Sequence, residues 1–209
     1  AMSEARNIEL KPIVDAVGAP DIVLIGANDP AAMQRHTDEC RDRSYPFASD
    51  PSQQLAFMEG DAIRPLVEGA TYLFTNEYES ALIHQKTGWD AKDIASIVDT
   101  RVTTLGAAGA RVERRGESPV TITVPQEERR ADPTGVGDAF RAGFLAGQAW
   151  GIGDERAAQV GALLATYVIE TVGTQEYTLA KGSFLDRLAR AYGDDAAADV
   201  EPHVTCPQS

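Results

Sequence analysis

The chain has no long apolar run. None of its hydrophobic stretches approaches the roughly 20 residues that cross a bilayer, and no secretory signal opens the sequence, so a cytoplasmic protein without a membrane partner is expected. Cysteine is scarce. Cys40 and Cys206 lie far apart in unrelated contexts, which speaks against a disulfide framework and suits a reducing compartment. Positive charge is in deficit: 19 Lys and Arg against 32 Asp and Glu leave a net charge of −13. A nucleic-acid binder carries a basic face, and no basic cluster here exceeds "ERR" or "RDR", so no nucleic-acid partner is expected. An anionic ligand would be repelled at long range. A site for one must then use local backbone N–H groups, a helix terminus or a metal ion.

Two common nucleotide-binding patterns are also missing. No Gly-x-x-x-x-Gly-Lys-Ser/Thr loop occurs, and Gly-x-Gly-x-x-Gly would need glycine at 140, where Phe140 stands.

What is present is a globular composition, 43% hydrophobic and 24% charged, in 209 residues. That length supports one good core. "DIVLIGAND" (21–29) reads as a buried strand closed by turn residues, and "PAAMQRHTDECRDR" as a helix with Pro30 in its first turn. "YPFASDPS" (45–52) is a short strand, and "QQLAFMEGDAIRPLVEGA" a helix broken near Gly60 or Pro65. "TYLFTNEYESALIHQKTG" (71–88) reads as strand, loop and helix, and "DAKDIASIVDT" as another helix. "RVTTLGAAGARVERRG" and "SPVTITVPQ" give strands around a glycine turn. Strand and helix alternate, and the strands are continuous apolar runs. The expected fold is α/β, a mainly parallel sheet covered on both faces. Val160, Leu163, Leu164, Tyr167 and Val168 follow helical spacing, as do Phe184, Leu185, Leu188 and Tyr192. Residues 194–209 lack apolar periodicity and read as a disordered tail behind a single domain, 1–193.

The most informative stretch is "RRADPTGVGDAFRAGFLAG" (129–147). Gly135 and Gly137 stand at the first turn of a predicted helix, with Asp138 beside them. The first N–H groups of a helix have no internal partner, and the dipole there favours anions. Removing side chains lets an oxyanion reach them. An acid in the same turn makes a poor ligand for that anion, but a good base for an attacking hydroxyl, as phosphoryl transfer requires. A plain capped helix with an acid in its first turn is the other reading of the same residues.

Three ordered motifs carry a family resemblance. "DPTGVGDAFRAGFLAG" resembles the C-terminal pattern of the ribokinase-like (PfkB-type) carbohydrate and nucleoside kinases. "TNEYE" carries Asn76 and Glu79 in the family's Asn-x-x-Glu arrangement, and "TTLGAAGA" carries Thr104, Gly106 and Gly109 like its Thr-x-Gly-x-x-Gly. "HTDECR…YPFASDPSQQLA" and "TVGTQEY" are similar to the actinobacterial adenosine kinase branch.

The resemblance implies a three-layer ribokinase-like fold and an ATP-dependent kinase for a nucleoside, adenosine foremost, or a sugar. It implies ATP as co-substrate, Mg²⁺, and K⁺ in some members. Gly135, Val136 and Gly137 would form the anion hole, and Asp138 would be the catalytic base. Asn76 and Glu79 would arrange Mg²⁺ through its waters. Asn76, Thr104, Gly106 and Gly109 would line the ATP cleft. Asp132 and Thr134 would help hold a monovalent cation. Gln53, Gln54 and Met2 would lie on the acceptor side.

Plainer readings stand beside these. Asn76 and Glu79 could form a capping box. Gly106 and Gly109 could simply turn a hairpin. Gln53 and Gln54 could be a solvated first turn. His36 and Cys40 share a helix face, as zinc ligands can, but no further ligand pair accompanies them, and the same holds for His203 and Cys206. Phe140, Gly143, Phe144 and Gly147 suit close helix packing.

The resemblance covers only the later part of the family's chain. The first strands, the lid and most of the acceptor pocket precede the point matching Met2. The chain is therefore expected to be inactive alone, with exposed sheet edges and a tendency to form homo-oligomers. A catalytically dead remnant that binds nucleotide or another subunit is the alternative.

Overall fold

The structure, a computed structural model, describes residues 2–205, apart from the side chains of residues 2 and 3. The chain divides into two compact units, residues 1–104 with 113–119, and residues 105–112 with 120–209. Among the described residues, no helix is long and apolar enough to cross a membrane.

The first unit begins with a 3-10 turn (Met2–Asn7). There follow α1 (Leu10–Val17), β1 (Val23–Ile25), α2 (Pro30–Asp42) and β2 (Phe47–Ser49). A second 3-10 turn (Ser52–Ala56) leads to α3 (Gly60–Val67), β3 (Tyr72–Asn76), α4 (Glu77–Thr87), α5 (Ala91–Ile97) and β4 (Thr100–Thr104). The strands lie side by side in the order β1-β2-β3-β4, all parallel, with Val23 opposite Phe47, Ala48 opposite Tyr72 and Asn76 opposite Thr104. Parallel neighbours need a crossover, which the helices between the strands supply. Phe47 to Ser49 and Tyr72 to Thr75 are all buried, as expected of strands read as apolar runs. Met33, Phe47, Leu66, Leu73, Ile83 and Ile94 form the centre of this unit's core.

Local chemistry explains the helix starts. Pro30 opens α2, and the Asp29 carboxylate accepts the N–H groups of Ala31 and Ala32, each at 3.1 Å. Arg6 bonds the same carboxylate at 2.5 Å and, before the two amides, is the main cause holding it below the usual carboxylate range. Asp90 and Asp93 form a capping box on α5.

The second unit holds a 3-10 turn (Gly106–Ala108) and most of β5 (Ala110–Arg114), followed by β6 (Val120–Ile122), α6 (Val136–Trp150) and α7 (Asp154–Ile169). α8 (Lys181–Tyr192), α9 (Asp194–Val200) and a 3-10 turn (Glu201–His203) follow. β5 and β6 pair antiparallel, with Ala110 opposite Ile122. α6 and α7 approach at backbone distance: a Cβ on Gly143 would lie 2.7 Å from the Gly161 Cα, and one on Gly147 would lie 2.6 Å from the Ala157 Cα. The small residues beside Phe140 and Phe144 thus serve close packing.

Three local expectations change. No loop separates β3 from α4, because Asn76 is both the last strand residue and the helix cap. Of the two break points expected in the helix after β2, the one near Gly60 is found, at Phe57–Glu59, and the one at Pro65 is not, because Pro65 sits inside α3. Lys86 Nζ takes the carbonyls of Leu55, Ala56 and Met58 at 2.8, 3.0 and 2.7 Å, so these oxygens are turned away from helical bonding. The described part of the expected tail, residues 194–205, is ordered as α9 and the turn after it. Ala196, Val200 and Val204 pack with Leu163, Phe184 and Leu188. Only three apolar residues are needed for this docking, too few to show as periodicity.

Ending the chain at Gly193 should therefore destabilise it. Two buried valines at roughly 1.5 kcal/mol each give a loss of about 3 kcal/mol, read as a lower urea midpoint. An unchanged midpoint would return the segment to a disordered tail.

Candidate functional site

In the first unit the sequence-predicted residues gather at the C-terminal ends of the parallel strands. That is the edge where open α/β sheets bind ligands. Asn76 ends β3, and Thr104 ends β4 directly opposite it. The Asn76 Oδ1 accepts the Glu79 N–H at 2.8 Å, and Glu79 Oε2 accepts the Asn76 N–H at 2.8 Å. The capping box is thus real, and it fixes Glu79 over the first turn of α4. Gln53 and Gln54 follow the C-terminal end of β2, the first exposed and the second half-buried. Their turn is held by Lys86, and by Ser52, whose Oγ donates to Asp50 Oδ1 at 2.7 Å from a backbone at φ +44°. Met2 lies in the first 3-10 turn.

In the second unit Gly109 takes φ +106°, and a Cβ there would lie 1.8 Å from the Ile122 carbonyl oxygen. Its N–H bonds the Gly106 carbonyl at 3.1 Å, and its own carbonyl accepts the Leu105 N–H at 2.8 Å. The left-handed backbone and the close Ile122 carbonyl are what require glycine at 109. Gly106 is exposed with open space around it.

The turn before α6 is built in steps. Asp132 Oδ1 accepts the Thr134 N–H at 2.9 Å. That bond, then the Thr134 hydroxyl and the Gly173 backbone, hold the Asp132 carboxyl below its usual range against the opposing effect of burial. Gly135 follows at φ +82°, in the left-handed region, and a Cβ there would lie 2.7 Å from Thr174 Cγ2. No other residue type satisfies both conditions without strain. Val136 then opens the helix. The Gly137 and Asp138 amides lie within the first turn, where no helical carbonyl stands four residues back. A Cβ on Gly137 would meet the Arg141 guanidinium, whose Nη1 lies 3.2 Å away.

Asp138 is the third residue of α6, and its side chain is 79% exposed. Arg141 Nη2 donates to Asp138 Oδ1 at 2.5 Å. Sequence reasoning missed Arg141. Its signal was available, since residues three apart on a helix are neighbours. The turn therefore presents helix-dipole amides, one carboxylate and one guanidinium within a single turn and a half.

The other candidates are structural. His36 Nε2 lies 2.9 Å from the Ile8 carbonyl oxygen. Cys40 is fully buried, and burial above all pushes its thiol up to about 11. The His203 ring stacks on Trp150 at 5.3 Å, and Cys206 lies outside the described residues. Among the described residues, no group of three or more His, Cys, Asp or Glu could hold a metal ion. A Mg²⁺ carried in on phosphates needs no such cage, because it keeps several waters and takes one or two carboxylates.

Comparison with known proteins places the chain in a family. A nucleoside kinase of Methanocaldococcus jannaschii is 27% identical over 158 residues, 74% of this chain and 51% of that protein. A Burkholderia thailandensis nucleoside kinase, solved in complex with ADP-inosine, superposes with a TM-score of 0.85 at 32% identity, covering 92% of this chain and 59% of its own. The solved M. jannaschii nucleoside kinase, described as an archaeal member of the ribokinase family, shares the fold at 23% identity and a TM-score of 0.77, over 91% of this chain and 61% of that one. The chain thus spans somewhat more than half the length of the relatives it matches. Residues 1–181 match the model of the pfkB family of carbohydrate kinases, and the chain belongs to that family.

Proposed function

We propose that this chain is the ATP-handling body of a nucleoside kinase, with adenosine as the favoured acceptor and inosine its nearest competitor. The observation that carries the reading is the turn from Gly135 to Asp138: first-turn amides at Gly137 and Asp138 with no helical carbonyl to receive them, beside an exposed carboxylate. The identity with a kinase solved with inosine and ADP supports a nucleoside over a sugar.

In this reading the backbone of Gly135, Val136 and Gly137 receives the transferred phosphoryl group, with the Gly137 amide open to it and the Val136 N–H exchanging its long 3.4 Å bond to the Pro133 carbonyl for the phosphoryl oxygen. The dipole of α6 and these N–H groups stabilise charge on its equatorial oxygens. Asp138 Oδ accepts the proton of the acceptor hydroxyl as that oxygen bonds to the γ-phosphorus and the bond from phosphorus to the β,γ-bridging oxygen breaks, releasing ADP. Arg141 holds the carboxylate in place. Thr104, Gly106 and Gly109 line the nucleotide side, and Gln53, Gln54 and Met2 the acceptor side. Mg²⁺, when bound with ATP, would neutralise phosphate charge. Asn76 and Glu79 would hold its waters, with Glu79 Oε1 available because Oε2 is committed to the Asn76 N–H. Asp132 and Thr134 would stand beside a monovalent cation such as K⁺.

Catalysis of this kind is mostly positioning, and a loosely held acceptor forfeits most of the gain. The chain alone should bind Mg·ATP weakly and leave adenosine unphosphorylated, while a chain of the relatives' full length turns over. An assay of both with Mg·ATP and adenosine decides this. Robust turnover by the short chain would overturn the proposed inactivity, and an inactive full-length chain would favour a dead nucleotide-binding remnant.

Within the full-length context, Asp138→Asn should cut kcat by at least about 10²-fold with ATP affinity nearly intact. Near-native turnover would reduce Asp138 to a helix-start residue. Glu79→Gln should raise the Mg²⁺ concentration giving half-maximal rate, because an amide orders metal-bound water less well than a carboxylate. An unchanged Mg²⁺ dependence would leave Glu79 with the capping role alone.

A further inference from the structure

The anion turn sits at the end of a chain of contacts that starts at a buried ion pair. Glu170 closes α7, and Arg187 lies in α8. Arg187 Nη1 donates to Glu170 Oε2 at 2.8 Å, and Nη2 donates to Oε1 at 2.7 Å, a bidentate fork. Both side chains are largely buried, and the guanidinium also lies 4.5 Å over the Tyr167 ring. A pair with one solvated partner, such as Arg141–Asp138 with its carboxylate 79% exposed, orients that carboxylate but adds little stability. A buried pair is different, because losing one partner leaves the other charge uncompensated.

Glu170 does more than satisfy Arg187. Its Oε1 accepts the Glu128 N–H at 2.7 Å, and its carbonyl accepts Arg129 Nε at 2.6 Å. The neighbouring Ile169 carbonyl accepts the N–H groups of Ala131 and Asp132 at 2.8 and 3.2 Å. The segment entering the turn is thus pinned at four successive points to the end of α7. The residues just after Glu170 meet the turn from its other side. The Gly173 backbone is near enough to help lower the Asp132 pKa, and Thr174 packs where a Gly135 Cβ would be. Burial alone would raise the Glu170 pKa, but Arg187, the Glu128 amide and Arg129 together hold it below the usual range, so the pair is charged as the geometry requires.

We propose that the Glu170–Arg187 pair is a positioning element that holds the Asp132–Asp138 turn in its anion-binding shape. Neither residue touches the turn's amides, so the pair acts through residues 128–132 and 173–174. The proposal deepens the kinase reading and rests on it for the identity of the anion.

The test compares amide hydrogen exchange and Mg·ATP affinity in the wild-type chain, Glu170→Gln and Arg187→Lys, with thermal melts confirming that each is folded. In Glu170→Gln the hydrogen-bonded amides of Ala131, Asp132 and Thr134 should exchange at least about 10-fold faster, while those of Phe144 and Leu163 are unchanged. Mg·ATP affinity should fall at least about 5-fold, and Arg187→Lys, which keeps the charge but loses the fork, should be intermediate. Unchanged exchange at Ala131, Asp132 and Thr134, or equal acceleration in α6 and α7, would overturn the proposal. If the exchange pattern appears but the wild-type chain binds no Mg·ATP, the pair's hold on the turn stands and the ATP assignment is what fails.

Discussion

A backbone at φ +82° can be occupied cheaply only by glycine, and at Gly135 that geometry decides what the second unit can offer a ligand. The left-handed residue reverses the chain from the Asp132–Thr134 turn into α6, so that the helix starts with its amides exposed. α6 in turn is held in place by contact with α7 at Gly143, Gly147 and Gly161, where the backbones are too close for side chains. The glycines at the turn and those along the helix therefore do different work. The first group leaves room for a ligand, and the second leaves room for a neighbouring helix.

The charge balance gives this geometry its value. At −13 the chain as a whole repels phosphates, and over distances beyond about 8–10 Å physiological salt screens that field. Binding must then be decided within the first contact shell. Amides fixed by a helix cost no reorganisation when charge develops against them. Arg141 adds a cation at the same turn, yet its exposed pairing with Asp138 is worth little to stability. Its value, like that of the capping box at Asn76 and Glu79, lies in orientation.

Much of this was legible in the sequence because the relevant signals are local. Pro30, the Asn76–Glu79 spacing, the Gly-x-Gly-Asp turn and the apolar strands each act within a few residues, and each appears where the pattern placed it. The parallel order of β1 to β4 follows from alternation of strand and helix. What escaped was non-local or written in small residues. α9 docks through Ala196 and Val200, a face too narrow to register as periodic. Lys86 reaches carbonyls some thirty residues back, and Arg187 finds Glu170 on another helix; no spacing rule joins either pair. α1 (Leu10–Val17) is short and carries Pro12, which masks the helical spacing of Leu10, Ile13, Val14 and Val17.

The central claim is that the start of α6 binds the phosphoryl end of a nucleotide. The most direct measurement is a ¹H–¹⁵N correlation titration of the chain with Mg·ATP and, separately, with Mg·ADP. The account predicts that the amides of Val136, Gly137 and Asp138 move, and that they move more with ATP than with ADP, because only ATP carries the transferable phosphate. Saturable binding that shifts other amides while leaving 136–138 in place would contradict it.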